Sequence, residues 1–210
     1  MAGRTEHGSQ PGSKPSTLHA IAMDIQTYQK YWQDKGEILY KFSTSSIDKT
    51  KVDEITFTFL TTCGLPFDVA PSLSFNELKE DRFLTPNQIF KIDFDELTNY
   101  LMFGSNGSGD PICIDKKTKK EIVYLNHDNY FDRVFINSDI LKFAASLTEF
   151  NKFISSLIIP TSLDYSLRKF CDNEFSDLQT GFQDIDKYSL SDNSFWKTEL
   201  DYLLIERDAD

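Results

Sequence analysis

Three glycines stand close together in FGSNGSGDPICID, residues 103–115, where a phosphate or metal loop could form. Gly104 and Gly109 have the spacing of a P-loop, but Asp110 stands where that loop needs lysine, and a carboxylate repels phosphate. The stretch leads into an apolar run rather than a helix, unlike a dinucleotide loop, and it lacks the ligand pattern of an EF-hand. The pattern favours a connection between strands, in which glycine permits positive φ and close backbone approach. Asp110 is expected to accept backbone N–H bonds that fix this turn.

His127 and Asp128, in YLNHDNYFD, are the residues best placed by type for acid–base chemistry. A histidine just after a strand can act as a general base, and a neighbouring aspartate can orient it. Adjacent side chains on an extended chain point in opposite directions, however, so adjacency is poor evidence for a catalytic dyad. We interpret His127 as a residue of a surface turn or a contact to a partner.

The other reactive groups favour structural roles. Cys63 precedes a predicted helix C-terminus, which raises a thiol's pKa, and Cys113 lies inside a predicted strand. No C-x-x-C occurs, which argues against a disulfide framework or a structural zinc site. Asp93, Asp95 and Glu96 cluster without histidines nearby, and we interpret them as solvated surface. We expect no enzymatic activity, no metal and no cofactor.

The charge of the chain indicates the kind of partner. The net charge is −11, which disfavours direct binding of nucleic acid and favours basic proteins, although acidity also serves solubility alone. Residues 160–210 hold 12 acids against 5 bases, a net of −7, with aromatic residues interleaved. We interpret most of these aromatics as buried helix faces, with the acids outward toward a partner. Without a long apolar run or a signal peptide, we expect no membrane contact and a cytoplasmic location.

The predicted elements group a sheet in the middle of the chain. Residues 1–17 form a predicted disordered tail, and residues 18–210 one domain with a helical C-terminal part. Apolar or β-branched runs predict five strands, the third and fourth of which form a hairpin: residues 87–93, 99–104, 110–115, 120–126 and 132–138. Because the hairpin runs are apolar at successive positions, we expect both faces of the sheet to be covered.

Helices are predicted on both sides of the sheet in sequence. One runs from Leu18 to Trp32 and ends near Gly36; another starts near Val52 and is ended by a left-handed Gly64 and by Pro66. The remaining predictions are a capped turn at Ser74 and Glu77, a helix opened by a capping box of Ser146 and Glu149 and ended by Pro160, and helices near 165–178 and 194–205. The fold class is therefore α+β, with a mixed or antiparallel central sheet and helices packed against it.

The order of four segments resembles the SUKH superfamily, which contains immunity proteins and is related to a yeast cell-wall-synthesis regulator. These are FLTTCGLP, LMFGSNGSGDPICID, EIVYLNHD and FAASLTEFNKFI, which lie in order between about Lys51 and Leu157, half of the chain. The resemblance implies a mixed or antiparallel sheet with packed helices and no catalysis. It also implies that the chain neutralises a toxin, often a nuclease, of a polymorphic toxin system.

We therefore hypothesise an immunity protein that binds a cognate protein toxin. The alternative is a regulatory or scaffold domain that binds endogenous proteins; a toxin gene immediately upstream favours immunity, and its absence favours regulation. The oligomeric state stays open. The expected partner-binding residues are exposed positions around the glycine turn and the following hairpin: Asp110, Asp115, Tyr124, His127 and Asp128.

Overall fold

The structure is a computed structural model that describes residues 24–75, 83–160 and 165–209. The helices in these ranges are α1 (Ile25–Asp34), α2 (Glu54–Thr62), α3 (Pro86–Phe90), α4 (Ile140–Leu157), α5 (Asp172–Ile185) and α6 (Phe195–Asp208). The strands are β1 (Leu39–Tyr40), β2 (Leu65–Pro66), β3 (Asp68–Val69), β4 (Leu73–Ser74), β5 (Tyr100–Asn106), β6 (Pro111–Asp115), β7 (Ile122–Asn126), β8 (Asp132–Asn137), β9 (Ile158–Pro160) and β10 (Tyr165–Leu167). Short 3₁₀ turns span Asp95–Asn99 and His127–Asn129.

Strands β3 to β8 form an antiparallel sheet of six strands in which each strand pairs with its neighbour in sequence. This sheet confirms the α+β prediction and is antiparallel rather than mixed. Tight connections join β3 to β4, β5 to β6, β6 to β7 and β7 to β8, and a short turn can join only antiparallel neighbours. Strands β4 and β5 are also antiparallel, but a longer connection joins them. Two further pairs, β1 with β2 and β9 with β10, are also antiparallel.

Both faces of the sheet are covered, as the apolar strands predict. On one face Ile112, Ile114 and Ile122 join the main core together with residues of all the longer helices. On the other face Cys113 and Val123 belong to a smaller cluster that α3 and the Asp95–Asn99 turn help to close. Alternate residues of one strand therefore enter two different cores, which is why these strands carry no polar face.

Helix α4 crosses the main core, with Phe143, Ala144 and Leu147 fully buried. Its N-cap is Asp139, whose carboxylate accepts from the Lys142 N–H. The predicted capping box of Ser146 and Glu149 is therefore wrong, since both residues lie inside the helix. Apolar residues already recur at helical spacing from Ile140 onward, and an earlier cap extends the helix to use them.

The predicted strand at residues 87–93 is also wrong, because this segment begins with α3. Pro86 occupies the first turn, and the Gln88 side chain accepts from the Thr85 N–H at 3.0 Å. These are helix start signals, and a left-handed Lys91 ends the helix after five residues. Cap chemistry therefore outweighs the apolar pattern here.

The remaining helices largely match the prediction. Helix α2 is followed by Gly64 at φ +86°, the left-handed cap that was predicted, and α1 ends, as predicted, near Gly36, which also has a positive φ of +80°. The helix expected at 165–178 is displaced, because residues 165–167 form β10 and α5 begins at Asp172. The helix predicted near residues 194–205 corresponds to α6. The tail 1–17, the start of the first helix at Leu18 and the turn at Ser74 and Glu77 include residues outside the described ranges. No helix within those ranges has the length and apolar character needed to cross a membrane.

Candidate functional site

The glycine turn joins β5 to β6, which confirms that it connects two strands. Asn106 Oδ1 accepts from the backbone N–H groups of Ser108 at 3.0 Å and Asp110 at 2.9 Å, closing the turn. A Cβ on Gly104 would lie 2.7 Å from the Ser74 carbonyl oxygen, so a side chain would push β4 away from β5. The turn is therefore built for close packing of backbone.

Asp110 joins this turn to the connection that follows β7. Its Oδ1 accepts from the His127 backbone N–H at 2.8 Å and lies 2.6 Å from His127 Nδ1. Its Oδ2 accepts from Asn106 Nδ2 at 2.8 Å. Asp110 does accept a backbone N–H bond, but from a residue 17 positions away rather than from its own turn. Its side chain is buried, so the expectation that it is exposed is wrong.

His127 lies between two carboxylates. Its Nδ1 faces Asp110, and its Nε2 is 3.3 Å from Asp128 Oδ1. The chain is a 3₁₀ turn at His127–Asn129, not extended, so the adjacent His127 and Asp128 side chains meet after all. The hydrogen bond to Asp110 raises the pKa of His127, opposed by partial burial and helped by Asp128. The arrangement favours a protonated His127 that links two carboxylates, rather than a neutral imidazole that could act as a general base.

Asp115 lies at the other end of β6 and has a structural role. Its side chain is buried and accepts from the Lys117 N–H at 2.9 Å and from Arg133 Nε at 3.2 Å. Arg133 also pairs with Glu121 at 2.5 Å. The expectation of an exposed Asp115 is wrong, because the sheet's own arginine covers it.

Tyr124 connects the sheet to α6. Its ring packs edge-on against Phe195 with centroids 5.9 Å apart. The residue is half-buried, and burial raises its pKa, helped by the charges of Asp110 and Glu199. The structure therefore brings Asp110, His127 and Asp128 together, places Tyr124 between them and α6, and leaves Asp115 apart.

A groove that the sequence analysis did not identify lies beside the glycine turn. It has a volume of about 940 Å³ and runs between the β3–β4 hairpin, the glycine turn, α4 and α6. We call it the acidic groove. Four α6 residues line it, at the spacing of one helix face: Glu199, Tyr202, Leu203 and Glu206. That spacing is visible in the sequence, but the wall that it faces is not.

The electrostatics of the acidic groove centre on Glu199. Burial, followed by the charge of Glu206, raises the pKa of Glu199 to about 7. No hydrogen bond or ion pair to its carboxylate comes from the described part of the chain, and no lysine or arginine is among the described residues that line the groove. Glu199 is therefore a partly desolvated acid without a compensating cation.

Glu199→Gln is expected to stabilise the protein at pH 8 and to leave its stability unchanged at pH 4. Between pH 4.5 and about 7 the unfolded chain loses this proton while the folded chain keeps it, so the wild type loses stability as pH rises. After allowance for solvent screening we expect a gain of about 1–2 kcal/mol at pH 8. Urea unfolding at both pH values measures it. Glu96→Gln, at an exposed site, is the matched control, and an equal effect of both changes would contradict the assignment.

The other groups singled out by type are inert or solvated. Burial raises the pKa of Cys63 to about 11 and raises that of Cys113 well above the usual value of a thiol. Both cysteines are core residues, as predicted. Asp93, Asp95 and Glu96 are exposed, also as predicted. No cluster of His, Cys, Asp and Glu suited to a metal ion occurs in the described ranges.

The aromatics of the C-terminal part point mostly inward, as interpreted from the sequence. Phe170, Phe175, Phe182, Phe195 and Trp196 are buried. Tyr188 and Tyr202 are exceptions, with more than half of their surface exposed, at 53% and 57%. Tyr202 stands on the rim of the acidic groove, where an aromatic is available to a partner.

Comparison with known proteins assigns the chain to a family. A family model described as SUKH-4 immunity protein matches residues 32–203. Searches of curated proteins and of solved structures gave no match. The matched region begins in α1 and ends in α6, so it includes the sheet, the glycine turn and the lining residues of the acidic groove except Glu206. The chain belongs to the SUKH-4 immunity protein family, within the SUKH superfamily.

Proposed function

We propose that this chain is a cytoplasmic immunity protein that binds a cognate protein toxin and blocks it without catalysis. The family match over residues 32–203 carries this proposal. The state of the reactive groups agrees with it, because the imidazole of His127 is held by two carboxylates and two thiols are buried. One buried cluster extends from Tyr28 to Leu200 and supports a single domain.

The charge distribution supports a nuclease as the toxin. Nucleases hold phosphates in basic clefts, and an acidic partner can occupy such a cleft. The net charge of −7 in residues 160–210 lies on the part of the chain that contains α5 and α6, in which Phe175, Phe182 and Trp196 are buried. Opposite charges also accelerate encounter between the two proteins.

The predicted contact residues take different parts in this proposal. His127 and Asp128 are exposed, and Tyr124 is half-buried next to α6, so these three can touch a toxin. Asp110 is buried and fixes the position of His127 through its contacts with the His127 backbone N–H and Nδ1. Asp115 holds Arg133 at the opposite end of β6 and contributes to the position of the hairpin.

Co-expression with the toxin encoded by the neighbouring gene tests the proposal. We expect the chain to restore growth and to co-purify with this toxin but not with an unrelated toxin. Because the attraction is electrostatic, affinity should fall by about tenfold or more as salt rises from 0.05 to 0.5 M. Absence of both protection and binding would contradict immunity. Capture of an endogenous protein instead would favour the regulatory alternative.

A further inference from the structure

We propose that the acidic groove receives a basic segment of the toxin, with a lysine or arginine placed between Glu199 and Glu206. This inference rests on the proposed function and adds the surface and the chemistry of the partner. The main binding surface is then the groove between α4, α6 and the glycine turn, rather than the exposed residues His127 and Asp128.

The shape of the acidic groove fits a long basic side chain. Part of its lining is apolar and includes Phe150 and Ile154 of α4 and Leu203 of α6; we call this part the floor. Glu199 and Glu206 stand on the same face of α6, two turns apart. Lysine and arginine bury an aliphatic stem on apolar surface while the charged end stays at a polar rim. The floor and the two carboxylates supply these two environments side by side.

Within the ranges that the structure describes, no cation lies beside Glu199 in the acidic groove. The groups that face it are Glu206 and Tyr202 on α6, Tyr124 on β7 and, across the groove, Asp68 on β3. None of these is a base. A segment with positive charge therefore relieves repulsion that the described residues of the chain do not relieve.

A second cleft shares Leu203 and Glu206 with the acidic groove and contains three bases, but these bases do not fill this role. Arg168 pairs with Glu174 at 2.6 Å, and Arg207 pairs with Asp172 at 2.7 Å and with Asp208 at 2.8 Å. The hydrogen bond from Arg207 lowers the pKa of Asp208 most, against an opposing effect of burial, and the charges of Arg207 and, least, of Lys169 lower it further. Arg168 and Arg207 are therefore already paired, and none of the three bases lines the acidic groove, which leaves that groove to an external cation.

A second copy of the chain is a poorer occupant than a basic toxin. Each copy carries a net charge of −11, so two copies repel one another at neutral pH. A toxin that holds phosphates has the opposite charge. Charge complementarity therefore selects a basic partner.

Occupation of the groove should release a proton. In the unbound protein, burial raises the pKa of Glu199 to about 7, and a neighbouring cation favours the ionised form of this side chain. Affinity is therefore expected to increase from pH 6 to pH 8, because less work is needed to ionise Glu199 at the higher pH. Salt should weaken binding at both pH values.

The first experiment measures the affinity of the neighbouring toxin by calorimetry at pH 6 and pH 8. Glu199→Gln with Glu206→Gln should weaken binding by about tenfold or more at pH 8 and should remove the increase from pH 6 to pH 8. Asp93→Asn with Glu96→Gln is the matched control, since it removes the same charge from exposed positions outside the groove. It should change affinity by less than about twofold. Equal affinities of the two variants overturn the groove assignment while leaving immunity intact.

The second experiment separates the groove from the proposed function. The probe is a decapeptide of alternating lysine and leucine, and its control has glutamine for lysine. We expect the lysine peptide, but not the glutamine peptide, to shift the NMR signals of α6 and the glycine turn. The Glu199→Gln/Glu206→Gln variant should show no such shift. A wild type that binds this peptide but not the toxin overturns immunity and keeps the groove. Wild-type self-association that the same variant abolishes, measured by sedimentation, overturns the assignment to a basic partner.

Discussion

Replacing Gly64 by alanine is expected to destabilise the protein by about 3 kcal/mol or more. Gly64 has φ +86°, and a Cβ there would lie 2.2 Å from the carbonyl oxygen of Tyr40. Tyr40 is in β1, which pairs with β2 directly after Gly64, so the clash is with backbone and cannot be relieved by a rotamer change. Strand β1 must separate from β2, or the end of α2 must move.

Gly36→Ala is the matched control for this prediction. Gly36 also follows a helix at positive φ, +80°, but a Cβ there meets nothing within 4 Å. It should cost only about 1 kcal/mol, the penalty of the left-handed backbone. Urea unfolding followed by circular dichroism measures both variants. Equal losses would show that the close approach to Tyr40 contributes nothing.

Replacing Asp186 by alanine is expected to cost about 3–5 kcal/mol. The Asp186 side chain is fully buried at the end of α5. It accepts from the Ser138 N–H at 2.7 Å and from Ser138 Oγ at 3.0 Å, and its charge lies 3.7 Å from Lys142 Nζ. Alanine leaves these part-buried donors without this acceptor, and such groups keep part of the cost of their lost solvation.

Two further variants make the Asp186 prediction testable even if the alanine variant does not fold. Asp186→Asn keeps the shape and one acceptor but removes the charge, so it should cost an intermediate amount of about 1–3 kcal/mol. Asp177→Ala, at an exposed position of α5, should change stability by less than about 0.5 kcal/mol. Thermal and urea unfolding give the three values. A loss for Asp186→Ala no larger than that of Asp177→Ala would refute the role of the buried carboxylate.

The Asp186 network also positions the acidic groove. Asn137 Nδ2 lies 3.4 Å from Asp186, and Asn137 Oδ1 accepts from Trp196 Nε1 at 2.9 Å. Trp196 is the second residue of α6, the helix that carries Glu199 and Glu206. The buried polar contacts that hold α6 on the sheet therefore also hold the two carboxylates of the groove at their place beside the glycine turn.

Sequence patterns of short range predicted much of the fold. The apolar runs at residues 110–115 and 120–126 correspond to β6 and β7, and their lack of alternation correctly indicated two covered faces. Gly64 was identified as a left-handed helix cap, and Gly36 as the end of a helix, because the last turn of a helix and its stop signal lie within a few residues. Where prediction failed locally, as at Pro86–Phe90 and Asp139, a stronger cap nearby decided the helix boundary.

Surface exposure was predicted less well, because it depends on groups far away in sequence. Asp110 is covered by His127, and Asp115 by Arg133, across separations of 17 and 18 residues. Both aspartates stand in polar or turn-like sequence, where exposure is the usual expectation. Only the pairing of β6 with β7 and β7 with β8 brings their partners over them.

The sequence by itself determined the class of the fold, the glycine caps and the acidic character of the C-terminal part, because these depend on neighbouring residues or on composition. The tertiary structure alone decided that His127 lies between two carboxylates and that Glu199 faces an apolar floor containing Phe150. Glu199 and Phe150 are separated by 49 positions in the sequence, and only the packing of α6 beside α4 and the sheet brings them into the lining of one groove. Desolvation and charge repulsion arise from that packing, so the raised pKa of Glu199 and the proposed demand for a cation have no counterpart in the sequence.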